Sequence, residues 1–105
     1  MEQVEKRIYY ISLLHLYGEL LSISQKEVLT DYLEYDLSIS EIAEEKNVSR
    51  AAIEDAIKKG KKKLGQFEEK LGLLRKKEII LKNTAILKQK LENCVEIEEI
   101  EEALQ

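Results

Sequence analysis

The segment Ser38-Ile39-Ser40-Glu41-Ile42-Ala43-Glu44-Glu45-Lys46-Asn47-Val48-Ser49-Arg50 constrains the fold more than any other part of the chain. Ser38 followed by Glu41 has the form of a capping box, in which the serine oxygen takes an amide proton of the first turn and the glutamate reaches back. Ile39, Ile42 and Ala43 supply the apolar face of a short helix that must stop near Lys46. Asn47 tolerates a left-handed backbone, and Ser49 can cap whatever follows Val48. Two helices across so tight a turn form a helix-turn-helix, with Ala43 small where they cross and Val48, Ile53 and Ala56 wedging the second against the first.

The rest of the 105 residues is read around that motif. With no Pro or Trp, 4 Gly and 36% charged residues, helix is the expectation throughout, and the fold class is all-α. Upstream, Val4, Ile8, Ile11, Leu14, Tyr17 and Leu21 recur at spacings of three and four and predict a first helix. Ser24 and Glu27 repeat the capping pattern and predict a second, from about Gln25 to Tyr35. Downstream, Ile53, Ile57, Leu64, Phe67, Leu71 and Leu74 fit a heptad seam with Gly60 in one seam position, so helix four is expected to run to about Gly72. Another helix follows from about Lys76 to Asn93 and is expected to fold back on helix four as a hairpin arm. Val95, Ile97, Ile100 and Leu104 allow a last helix in an acidic tail, expected to fray or to form only with a partner. The division expected is a helix-turn-helix domain over 1–60, continuous with a helical arm and tail over 61–105.

This pattern resembles the helix-turn-helix of sigma-factor region 4, where a serine, a Glu-Ile-Ala and a Val-Ser-Arg occur at these spacings. With Leu20-Leu21-Ser22-Ile23-Ser24-Gln25-Lys26 ahead of it and a long charged helix behind, residues 6–92 look like the YlxM-like family. The resemblance implies a small bacterial regulatory protein, usually encoded beside components of the signal recognition particle. Two positions depart from the pattern: Asn47 stands where many related motifs carry Gly, and Lys46 stands in an apolar position, where it must snorkel or leave the junction less well packed.

The net charge of −4 argues against a general nucleic-acid binder, but its distribution does not. Residues 58–90 hold 12 basic and 3 acidic side chains, while residues 1–57 hold 5 and 12 and residues 91–105 hold 0 and 6. In the DNA-binding use of the motif, Ser49, Arg50, Ala51, Glu54, Asp55 and Lys58 would face the major groove. Lys59, Lys61, Lys62 and Lys63 extend that surface as phosphate contacts, or form the solvated face of a long helix. Glu54 and Asp55 would be repelled by phosphates. The expected ligand is therefore duplex DNA or structured RNA, possible partners include signal recognition particle components, and the alternative is a protein adaptor using the motif as a scaffold.

The five tyrosines all precede the lysine run, so they read as core and core-edge residues rather than stacking platforms interleaved with it. His15 and Cys94 are the only residues of their kinds, too few for a zinc site, and neither has a catalytic neighbour. No cofactor, metal or enzymatic activity is expected. The charged start and the lack of a long apolar run predict a cytoplasmic protein without signal peptide or membrane anchor. The seam of Leu64, Phe67, Leu71 and Leu74 predicts a homodimer through the arm.

Overall fold

The computed structural model describes residues 3–105, and these form helices and connecting turns with no strand. The first of two compact units ends at Leu71; the second is Gly72–Gln105. The division falls at Gly72 rather than after residue 60 because α4 is one continuous helix through the expected boundary.

In the first unit, α1 (Val4–Tyr17) passes through a 3-10 turn at Gly18–Leu20 into α2 (Ile23–Leu29), which continues as a π turn over Thr30–Glu34. Next come α3 (Ile39–Lys46) and α4 (Arg50–Leu71), and α4 packs against α1, α2 and α3 in turn. Its buried residues Ile53, Ile57, Gly60 and Leu64 recur at three and four and meet a core of Leu13, Leu14, Tyr17, Val28, Leu29, Leu33 and Ile42. From Ile53 to Leu64 the apolar seam is therefore the inner face of a helix surrounded by its own chain, whereas Leu71 is exposed.

Local chemistry explains most helix ends. The Ser38 hydroxyl accepts the Glu41 amide at 3.0 Å and the Glu41 carboxylate accepts the Ser38 amide at 3.2 Å, completing the capping box. Asn47 is left-handed at φ 56°, and the Ser49 hydroxyl accepts the Ala52 amide at 3.1 Å to start α4. Helix α2 starts two residues earlier than Ser24 and Glu27 suggest, because Ser22 takes the extended cap conformation and its hydroxyl accepts the Gln25 amide at 3.1 Å.

At the far end of this helical segment the sequence pattern carries no signal for what closes it. The Arg7 guanidinium reaches back from α1, donating to the carbonyls of Leu33 at 3.0 Å and Tyr32 at 2.9 Å and pairing with Asp36 at 2.9 Å. Carbonyls left over at a helix end are satisfied here by a cation from another helix, the sign that the helix dipole favours. Asp36 is left-handed at φ 55°, which turns the chain toward α3.

Other expectations are corrected by packing. Val4 and Ile8, placed on the buried stripe of helix one, are 72% and 59% exposed, since only the second half of α1 lies against the core. Val48, placed as a wedge in the turn, is 47% exposed, whereas Ile53 is buried and Ala56 half-buried. Lys46 does reach outward: its ammonium meets the Glu27 carboxylate of α2 at 3.1 Å. Ala43 is 4% exposed at the crossing of the motif's helices, so Ala43→Leu should overpack it by roughly 1–3 kcal/mol. A urea midpoint equal to that of the wild type would show that the crossing lies elsewhere.

Glycines in the long helices have contrasting surroundings. A Cβ on Gly60 would sit 2.6 Å from Leu29 Cδ1, so the glycine is what lets α2 approach α4. A Cβ on Gly65 would meet nothing within 4 Å, although glycine inside a helix costs roughly 0.5–1 kcal/mol relative to alanine.

In the second unit, α5 (Leu73–Lys90) and α6 (Val95–Ala103) pack together. Gly72, left-handed at φ 61°, begins α5 directly after α4, so that helix starts three residues before Lys76. The acidic tail is helical rather than frayed: Ile97 is buried and Lys88 meets Glu101 at 3.0 Å.

Candidate nucleic-acid interface

Each proposed contact residue falls in the turn before α4 or on its first four turns, where the capped helix start and the packing of Ile53, Ile57 and Gly60 fix which side faces solvent. Ser49, Arg50, Ala51, Glu54, Asp55, Lys58, Lys59, Lys62 and Lys63 are exposed, and Lys61 is half-buried. The hydroxyl of Ser49 is engaged as the helix cap. Arg50, Lys58 and Lys62 make no hydrogen bond or ion pair with the described residues, and they span about 18 Å of helix at 1.5 Å per residue.

The lysine run does not form one surface. Residues two apart on a helix point about 200° away from each other, so Lys61 and Lys63 flank α4 on opposite sides. Lys63 donates to Gln25 Oε1 of α2 at 3.4 Å. Lys59 is held by Asp55, one turn back, at 3.0 Å. Lys61 turns toward α1 and the end of α2, with its ammonium 5.1 Å from the Tyr10 ring centroid and 5.4 Å from that of Tyr32. Burial pushes its pKa below the usual lysine range, because the charged form loses hydration there.

Of the candidate cations, Lys58 and Lys62, with Arg50 one helical stretch before them, are thus the ones exposed without a partner among the described residues. Their neighbours at the start of the motif are acidic: Glu44 and Glu45 on α3 and Glu54 on α4 are all exposed. The balance of charge along the motif turns from negative at its leading edge to positive in the middle of α4.

Two aromatic residues belong beside this surface that spacing along the chain does not connect with it. Tyr10 lies in α1 and Tyr32 in the π turn, so only tertiary packing brings them to Lys61. Tyr9 meets the edge of Tyr10 at a centroid distance of 5.3 Å and 69° between planes. Arg7, bonded to the Tyr32 carbonyl, anchors the other ring's backbone.

Leu64, by contrast, leaves the set of dimer contacts. It is 0% exposed inside its own chain and so is closed to a second copy. Phe67 packs on Tyr17 with centroids 5.8 Å apart, and the Tyr17 hydroxyl donates to Glu68 at 2.7 Å. Of the remaining seam residues, Leu71 is 46% exposed and Leu74 is buried.

A capped short helix, a left-handed Asn turn and a second helix inserted through Ile53 define a helix-turn-helix protein. Consistent with that class, residues 4–105 match the family described as "Putative helix-turn-helix protein, YlxM / p13 like", and the chain belongs to this UPF0122 family. It is similar to the UPF0122 protein of Fusobacterium nucleatum, 49% identical over 78 residues covering 74% of this chain and 76% of that one. The UPF0122 protein of Malacoplasma penetrans is 48% identical over 90 residues, 80% of this chain and 84% of the relative. That of Clostridium acetobutylicum is 40% identical over 106 aligned positions, 94% and 91% of the two chains. No described helix is long and apolar enough to cross a membrane. Among the described residues no group of three or more His, Cys, Asp and Glu is placed to hold a metal.

Proposed function

We propose that this protein is a regulatory nucleic-acid-binding protein that holds a polyanion along the outer face of α4. The observation that carries this reading is the set of Arg50, Lys58 and Lys62, exposed and without ionic partners among the described residues. A cation left unpaired in the fold neutralises a phosphate without first giving up an internal bond, and each such contact releases counterions. Arg50 stands at the start of the second helix, where the helix-turn-helix mode places base edges, and Lys58 and Lys62 follow on the same helix as phosphate contacts. The ligand is duplex DNA or a structured RNA. Because the resemblance to YlxM-like proteins points to the signal recognition particle pathway, the RNA of that particle is the first one to try.

The exposed acids Glu44, Glu45 and Glu54 favour a second reading, a protein adaptor whose motif is only a scaffold. Fluorescence anisotropy against a duplex DNA and a stem-loop RNA at low and moderate salt separates the two. Under the first reading wild type binds at low salt, and Glu54→Gln with Asp55→Asn tightens binding to both ligands several-fold by removing charge that opposes phosphate. No binding at low salt, before or after those changes, leaves the adaptor.

A further inference from the structure

We infer that two copies of this chain pair antiparallel through the outer face of α5, about a two-fold axis that brings Asn83 of one copy to the partner's Asn83. The occupant of that face is a second copy. The contact is separate from the α4 surface and does not rest on the nucleic-acid reading above.

The face is apolar and uncovered. Ile79, Ile80, Ile86 and Leu87 are 52%, 40%, 41% and 45% exposed. At about 100° per residue, all four lie within about 60° of Asn83 around the helix. Lys88, which meets Glu101 of α6, lies about 140° from Asn83, so α6 covers another side. Ile79 and Ile80 recur seven residues on as Ile86 and Leu87, the repeat that a partner helix covers. The second unit also calls for such a cover. It has 34 residues and buries Leu74 and Ile97, and units below about 40 residues usually depend on cross-links, metals or oligomerisation. Cys94, the one cysteine of the chain, cannot form an internal disulfide.

Two features specify a second copy rather than any other apolar helix. The first is a symmetry in the sequence. Ile79 and Leu87 each stand four residues from Asn83, and Ile80 and Ile86 each stand three. A two-fold contact requires that residue i meet residue j and j meet i. Ile79 and Ile80 of one copy then lie level with the partner's Leu87 and Ile86, so every apolar side chain of the stripe finds an apolar counterpart. A slip of one turn would set Asn83 against one of them instead.

The second feature is Asn83 itself, exposed in the middle of the stripe. One N–H of its amide donates to the Ile79 carbonyl of its own helix at 2.8 Å. The amide has a second N–H and an acceptor oxygen, so across a two-fold axis it is its own complement, giving one hydrogen bond and taking one. An asparagine inside an apolar helix stripe fixes register and copy number at a cost in affinity. One helix from each copy makes an interface below about 1,200 Å², and a dissociation constant in the micromolar range is expected.

Sedimentation equilibrium of the nuclease-treated full chain, from about 1 to 200 μM, tests the pairing. Wild type should pass from monomer to dimer across that range. Ile80→Glu with Leu87→Glu should stay monomeric at the top concentration with unchanged helix content by circular dichroism, since both positions are exposed. Asn83→Asp and Asn83→Lys should each weaken the dimer about tenfold or more by placing like charges on the axis, and an equal mixture of the two should dimerise again. Only a residue that meets its own copy gives that rescue. Raising NaCl from about 0.1 to 0.5 M should leave the dimer as tight or tighter, because salt does not screen apolar contact and the copies carry the same net charge. Chains carrying Ile80→Cys and Leu87→Cys, each with Cys94→Ser, should on oxidation together cross-link to one another more than to themselves.

A wild type that is still monomeric at the top concentration overturns the inference. So does a dimer that survives Ile80→Glu with Leu87→Glu, or one that weakens severalfold in salt, as a contact between basic α5 and acidic α6 would. Should that double variant lose helix, the Asn83 mixture decides, and failure to regain the dimer there overturns the two-fold axis. Preferential self cross-linking would make the pair parallel and overturn the antiparallel register.

Discussion

Leu64→Ala should destabilise the first unit by about 2–5 kcal/mol, the range for removing a leucine from a packed core and leaving its cavity. Domains of this size are stable by only about 5–15 kcal/mol, so the loss is a large part of the total. The expectation follows from geometry: Leu64 is 0% exposed and on the inner face of the helix that α1, α2 and α3 surround. Urea denaturation followed by circular dichroism reads it directly. Because the contact is within one chain, the transition midpoint should not move with protein concentration in a background of Ile80→Glu with Leu87→Glu, which keeps α5 unpaired, as it would were Leu64 buried by a second copy. A midpoint that climbs with concentration in that background would put Leu64 at an interface after all, and a wild-type midpoint in the variant would take it out of the packed core.

Reversing Lys58 and Lys62 together to glutamate should have the largest effect on ligand binding. Both are exposed and unpaired among the described residues, so the fold should hold within about 0.5 kcal/mol. Each lost phosphate contact lowers the slope of log K against log salt by about 0.9 on duplex, so two lower it by about 1.8. Placing two acids beside phosphates adds repulsion, and affinity at low salt should fall on the order of 10–100-fold. Lys63 offers the internal comparison, being on the far flank and bonded to Gln25. Lys63→Glu should cost markedly less. A loss from Lys63→Glu equal to that from Lys58→Glu or Lys62→Glu alone would mean that the protein's overall charge, rather than the outward lysines of α4, sets the affinity.

The motif itself was legible residue by residue. Its capping box, the left-handed Asn47 and the Ser49 cap are contacts between residues no more than four apart, so the identities at those positions carry nearly all the information. The length of α4 was legible for the same reason: no proline and no competing cap interrupts it before Gly72. The start of α2 shows where this local reading fails. Ser22 and Ser24 both precede plausible partners at i+3, and the one chosen is the serine whose backbone is extended after the 3-10 turn.

The heptad seam marks a different boundary of what a sequence says. A periodic apolar row establishes that one face of α4 is buried, and that was correct for Ile53, Ile57 and Leu64. It does not name what buries it, since helices of the same chain and a second copy offer the same kind of apolar surface. The run from Lys58 to Lys63 likewise fixed positive charge on α4 without saying how it would be shared out. Packing turned Lys61 to the tyrosines and Lys63 to α2, and left Lys58 and Lys62 facing outward.

By itself, then, the sequence determined most of the helices and the turn between α3 and α4, because short-range hydrogen bonds and backbone preferences decide these within a few residues, and its residue identities carried the family and the sign of the charge along α4. Only the tertiary structure decided that the seam from Ile53 to Leu64 closes inward, that Arg7 caps a helix 25 residues away at Tyr32, and that Tyr10 and Tyr32 meet Lys61, because these contacts join residues whose separation along the chain carries no period to read.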